Sequence, residues 1–142
     1  MTAYDLSPEG GAGMNRQQVQ DWLNRYVTAW EKYDPAQIGD LFTDGARYRY
    51  RPHDQGVAGR RDIVREWMSH RTPDMSYLAS YKPLAIDGDT VVAVGQVRYL
   101  TDDQTAIYQL YNSLFILRFA DDGRCDELVE WFMLQPIADE GG

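Results

Sequence analysis

Residues 76–135 read SYLASYKPLAIDGDTVVAVGQVRYLTDDQTAIYQLYNSLFILRFADDGRCDELVEWFMLQ, and the punctuation of this stretch decides the fold. Asp87-Gly88-Asp89, Thr101 to Gln104 and Asp121-Asp122-Gly123 are short polar interruptions of the kind that close hairpins. They divide the stretch into four runs rich in β-branched and aromatic residues, at 76–86, 90–100, 105–120 and 124–135. Four such runs in succession, joined by tight turns, imply an antiparallel meander.

Upstream the period changes. Val19, Trp22, Leu23, Tyr26, Val27 and Trp30 recur at three- and four-residue steps and form one face of an amphipathic helix running to Tyr33. Asp34-Pro35 stops it and starts a short second helix, with Ile38, Leu41 and Phe42 turned inward. A third helix follows Gly59, buries Ile63, Val64, Trp67 and Met68, and ends near His70 ahead of Pro73. Between the second and third helices, Ala46 to Arg51 alternates, with Tyr48 and Tyr50 on one face and Arg47, Arg49 and Arg51 on the other. Three helices and a following meander, with no internal repeat, predict an α+β layer fold.

The chain has 142 residues, room for one core, and we read residues 14–142 as a single domain preceded by a mobile Gly-rich tail at 1–13. Its formal charge of -8 repels phosphate backbones and anionic bilayers, which argues against nucleic acid and membrane as partners. Six of the arginines lie between Arg47 and Arg65, and we read them as solvated faces rather than a basic patch. Cys125 is the only cysteine, so no disulfide forms within the chain, and a reducing cytoplasm is the expected location. The glycines lie in the tail and at turns, not in a phosphate-binding loop, and no cofactor is expected. His53-Asp54 stands alone, with no second histidine within reach, so no metal site is expected either. Asp54 is expected to pair with Arg60 or Arg61.

The run Asn24-Arg25-Tyr26-Val27-Thr28-Ala29-Trp30, then Asp34-Pro35, Leu41-Phe42-Thr43-Asp44, Gly59-Arg60 and Leu117 to Gly123, resembles the nuclear transport factor 2-like superfamily, and within it the SnoaL-like, polyketide cyclase-like group. The resemblance spans Met14 to Pro136. It implies a cone: a curved antiparallel sheet wrapped around three N-terminal helices, with an internal pocket. It does not imply one activity, since such folds carry isomerases, hydrolases, dehydratases, cyclases and plain binders. By resemblance to ketosteroid isomerase, Tyr26 matches a hydrogen-bond donor, while Tyr50 and Phe115 stand where that enzyme has its two aspartates. By resemblance to limonene epoxide hydrolase, Tyr48 and Glu130 match functional residues, while Gln96 and Arg98 stand where an arginine and an aspartate would be.

These matches and simple alternation predict the inward set. It comprises Tyr48 and Tyr50; Gln96 and Arg98; Gln109, Tyr111, Ser113 and Phe115; and Leu128, Glu130 and Phe132, closed by Tyr26 and Trp30 of the first helix. An aromatic wall with a few converging polar groups suits a small, largely apolar organic molecule. Glu130, Arg98 and Tyr48 are the candidate catalytic residues and the others, Leu128 apart, the candidate ligand contacts. A carboxylate amid the apolar run 128–134 either carries a raised pKa and serves as acid or base, or pairs with Arg98 and stays charged. The expected function is correspondingly an acid-base enzyme of lyase, hydrolase, cyclase or isomerase type, or a non-catalytic ligand-binding or protein-interaction module. The other face of the last strands carries Leu114, Ile116 and Trp131, which predicts a homodimer through the convex sheet.

Overall fold

The structure is a computed structural model that describes residues 14–70 and 77–137; the expected tail at 1–13 lies outside them. Helix α1 spans Arg16–Lys32, α2 Pro35–Asp40 and α3 Arg60–Ser69. The strands are β1 (Phe42–Arg49), β2 (Val57–Ala58), β3 (Tyr77–Asp87), β4 (Thr90–Leu100), β5 (Ile107–Phe119) and β6 (Cys125–Gln135). They form one curved, unclosed sheet in the order β2-β1-β6-β5-β4-β3.

Local chemistry sets the helix ends. Asn15 accepts from the Gln18 amide while the Gln18 side chain accepts from the Asn15 amide, a reciprocal cap at the start of α1. Tyr33, in the left-handed conformation at φ 48°, ends the helix, and Asp34 caps α2 ahead of Pro35. The apolar stripe of α1 is buried as its spacing requires, with Val19, Trp22, Leu23 and Tyr26 in the core. On the polar side of α1, Gln20 donates to the Tyr81 carbonyl at 2.8 Å and an Arg16 guanidinium nitrogen to the Pro83 carbonyl at 2.7 Å. Those bonds satisfy carbonyls of β3, the last strand of the sheet, and blunt its edge.

The meander β3-β4-β5-β6 is antiparallel throughout. β1 departs from it by pairing parallel with β6, Tyr48 opposite Leu128, so that the first strand and the last lie side by side. Phe42 opens β1 rather than closing α2: it pairs with Cys125 and is fully buried. The two-residue strand β2 pairs antiparallel with β1 and was not expected from the sequence.

The core sits between the helices and the concave face. Trp22 is at its centre, its indole donating to the Leu41 carbonyl at 3.1 Å and its ring edge-on to Phe42 and Phe119. Tyr26, one turn later, packs against Trp67, Tyr81 and Phe115 at 5.2, 5.9 and 5.3 Å between ring centroids. Toward the C-terminal half of α1 this packing opens into a cavity.

Candidate functional site

The cavity holds about 420 Å³ and is walled by α1, α3 and the concave faces of β1 and β3 to β6. Of the expected inward set, Tyr26, Trp30, Tyr48, Tyr50, Gln109, Tyr111, Ser113, Glu130 and Phe132 all line it. Four expected members do not, and one of them, Leu128, is fully buried in the core beneath it. Phe115 is fully buried behind the floor, stacked on Tyr81 with centroids 4.7 Å apart, so it supports the wall without reaching the lumen.

Gln96 and Arg98 lie on the opposite face of the sheet. On β4 the residues turned to the core are Val91, Ala93 and Val97, and Val97 and Tyr99 line the cavity where Gln96 and Arg98 were expected. Because side chains alternate, a register displaced by one residue moves a whole strand's set to the other side. Arg98 instead donates to the Gln96 side-chain oxygen at 3.2 Å, Gln96 donates to Asn112 at 3.1 Å, and Asn112 donates to Gln135 at 2.8 Å. This polar row crosses the convex face, and no Arg98–Glu130 pair forms.

The sequence reading missed Tyr33, Trp67, His70, Tyr81, Val97 and Tyr99 as lining residues. Trp67 was assigned to the buried stripe of α3, and β3 was given no inward face. The signal was present on β3, where Tyr77, Ala79 and Tyr81 alternate with Leu78 and Ser80.

With Arg98 absent, Glu130 has no basic partner among the described residues. The Tyr48 hydroxyl donates to its Oε1 over a long 3.5 Å, and the Tyr26 hydroxyl lies 2.7 Å from that of Tyr48, so the three groups form a short chain across the cavity wall. Burial raises the Glu130 pKa from 4.5 to about 7, the Tyr48 bond opposing it weakly. Burial likewise pushes the hydroxyls of Tyr26 and Tyr48 well above the usual tyrosine range, with the nearby Glu130 charge adding to the effect, so both remain donors at any ordinary pH. Glu130 is therefore divided between its acid and its base form near neutrality, beside phenols that stay protonated.

The remaining polar candidates are peripheral. His70 lines the cavity with Nε2 2.8 Å from Glu66 Oε1, and its side chain is well exposed. Asp54 pairs with Arg51 at 4.0 Å and His53 at 3.6 Å, not with Arg60, which instead reaches Asp44 at 2.9 Å. Arg51 and His53 are neighbours of Asp54 in sequence, while the Gly59 amide, bonded to the Ala46 carbonyl of β1 at 2.7 Å, holds the start of α3 and Arg60 beside Asp44. Cys125 is buried, its thiol bonded to the Glu127 carbonyl at 3.2 Å and its pKa pushed up by burial, which leaves it unreactive. Among the described residues, no three His, Cys, Asp or Glu side chains converge and no helix is long and apolar enough to cross a membrane.

Solved structures share this architecture. A protein from Kribbella flavida DSM 17836, named as a candidate ketosteroid isomerase, aligns over 88% of this chain and 82% of its own at a TM-score of 0.59 and 17% identity. An NTF-2 like protein of unknown function from Burkholderia xenovorans LB400 aligns over 91% and 93%, at 0.64 and 15%. A Mycobacterium tuberculosis protein aligns over 86% and 99%, at 0.63 and 6%. At such identities the likeness speaks for the fold alone. No curated protein matches the chain in sequence. The profile of the SnoaL-like domain, however, matches residues 23–128, from the middle of α1 into β6. With that match on this cone-shaped fold, the chain belongs to the SnoaL-like domain family of the nuclear transport factor 2-like superfamily.

Proposed function

We propose that this protein binds a small, largely apolar organic molecule in the aromatic cavity and moves a proton on it with Glu130. One observation carries the reading: a carboxyl on the cavity wall, without a basic partner among the described residues, whose burial brings its pKa to about 7. Such a group gives and takes a proton with nearly equal ease at neutral pH, which general acid-base catalysis needs. The phenols of Tyr48 and Tyr50 beside it are suited to hold a ligand oxygen and to stabilise charge developing there. Among the described residues Glu130 is the one carboxylate lining the cavity, without the paired carboxylate that activates water, so among isomerase, lyase, cyclase and hydrolase chemistry the site favours proton transfer next to a carbonyl.

The test is exchange. Cyclic ketones incubated with the protein in heavy water should take up deuterium beside the carbonyl, and Glu130→Gln should slow this by at least about 100-fold. Equal exchange by both proteins would remove Glu130 from the chemistry and leave a non-catalytic binding module.

Assembly is part of the proposal. Trp131, Ile116 and Met133 stand on the convex face with 49%, 38% and 72% of their surface exposed. Leu114 is cross-strand to Trp131, and a groove of about 680 Å³ runs over Val94, Leu114, Trp131 and Met133. An apolar patch of this kind supports a two-fold homodimer through the sheet. The single buried thiol suits a reducing compartment such as the cytoplasm.

A further inference from the structure

We propose that the cavity selects an organic cation, a quaternary or protonated ammonium compound, whose positive group packs on the aromatic wall and pairs with the Glu130 carboxylate. The proposal names the ligand class of the cavity described above; it rests on that cavity as the binding site and not on any proton transfer.

The wall is built for a positive guest. Trp30, Tyr33, Tyr50, Trp67, Tyr99 and Tyr111 bring rings from α1, α3, β4, β5 and the end of β1 around one space. The face of an aromatic ring carries partial negative charge, and a cage of such faces holds an ammonium group whose hydration has been stripped away. Among the described residues, no Lys or Arg lines the cavity. Arg51 and His53 lie beyond Phe132, lining the neighbouring groove that Glu130 also borders; the Arg51 guanidinium is 5.7 Å from the Phe132 ring centroid and both side chains are engaged with Asp54, at 4.0 and 3.6 Å.

Glu130 supplies the second half of the argument. A buried carboxylate without a counter-charge is costly, and a cationic ligand provides the missing charge where a neutral one leaves the cost in place. The net charge of -8 also concentrates cations around the molecule.

Binding of this kind is linked to protons. The titratable groups facing Glu130 are phenols: Tyr26 of α1, Tyr48 of β1 and Tyr50 just past it, Tyr81 of β3 and Tyr99 of β4. Burial raises all five above the usual tyrosine range, so none changes charge near neutrality. His70, with Glu66 beside it, is the other titratable pair at the cavity and sits exposed at the rim. A cation against Glu130 pulls its pKa back down from about 7, so affinity rises with pH through that value and binding below it releases a proton.

Phenyltrimethylammonium and its neutral isostere tert-butylbenzene make the test, with quenching of the cavity tryptophans Trp30 and Trp67 and calorimetry as readouts. At about pH 8 the ammonium should bind at least about tenfold tighter than the hydrocarbon. The preference should shrink at about pH 5.5, and Glu130→Gln should weaken the ammonium by at least about tenfold without weakening the hydrocarbon, since the amide leaves no charge for a neutral guest to desolvate. Three results overturn the proposal: the hydrocarbon binding as tightly as the ammonium, an ammonium affinity indifferent to Glu130→Gln, or no ammonium binding at millimolar concentration. A protein that prefers the hydrocarbon yet exchanges ketone protons keeps the proton-transfer reading and loses this one.

Discussion

Glu130→Gln should make the protein more stable in mild alkali and leave it about as stable in acid. The folded carboxyl titrates at about 7 and the unfolded one at 4.5, so between those values the folded chain holds a proton that the unfolded chain gives up. A raised folded pKa contributes stability that is complete below the unfolded value and is lost as pH climbs through the folded one. Each unit of displacement corresponds to about 1.4 kcal/mol, which makes the whole loss roughly 3 kcal/mol by pH 8 to 9. Glutamine has the shape of the protonated acid and no charge to desolvate, so the variant escapes that loss. For a chain of this size the difference is worth roughly 10 °C in melting temperature. Urea denaturation of both proteins at about pH 4 and about pH 8.5, at one ionic strength, reads it directly. The two should nearly coincide at the lower pH and separate at the higher. Parallel dependence of wild type and variant on pH would refute the reasoning, because Glu130 would then titrate alike in the folded and unfolded chains.

Three further outcomes are expected. Arg98→Met should change stability by no more than about 0.5 kcal/mol, since Arg98 is an exposed residue of the convex polar row, and a loss of several kcal/mol in thermal melts would return it to the cavity side. Gly95→Ala should cost roughly 1–3 kcal/mol in urea denaturation, because its methyl would run into the Tyr81 ring and the Ser80 carbonyl; an unperturbed midpoint would mean that Tyr81 does not lie over Gly95. Light scattering should give about twice 16.3 kDa for the wild type and shift toward 16.3 kDa for Trp131→Asp. A wild-type mass near 16.3 kDa would dispose of the dimer.

The elements were legible because two periods are written plainly into the chain. The spacing from Val19 to Trp30 gives α1, and Asp87-Gly88-Asp89 and Asp121-Asp122-Gly123 mark the hairpins between the observed β3 and β4 and between β5 and β6. Glu130 was legible as a charge out of place in an apolar run. The faces of β4 were harder. Val91 to Val94 is apolar on both sides, so alternation alone does not say which set is inward, and the positions carried over by resemblance put Gln96 and Arg98 there. Gly95 held the better clue. It leaves room for the Tyr81 ring on the concave face, which fixes Val97 and Tyr99 beside it. That contact joins two strands and has no local trace in the sequence. β2, at two residues, is too short for any period to show.

The parallel seam between β1 and β6 bears on the order in which the molecule assembles. Tyr48 and Glu130 are 82 positions apart, and the strand bearing Glu130, last in sequence, lies inside the sheet between β1 and β5. Until residues 125–135 have been synthesised, β1 has only the two-residue β2 to pair with, and β5 presents an open edge. Closing so long a loop is entropically costly and is rewarded only when both flanks of β6 zip up together. The half-built sheet is thus the form most open to mispairing with another chain during translation. Glu130 meets Tyr48 only once that exposure has ended, so the nascent chain completes its sheet and its cavity wall in a single event.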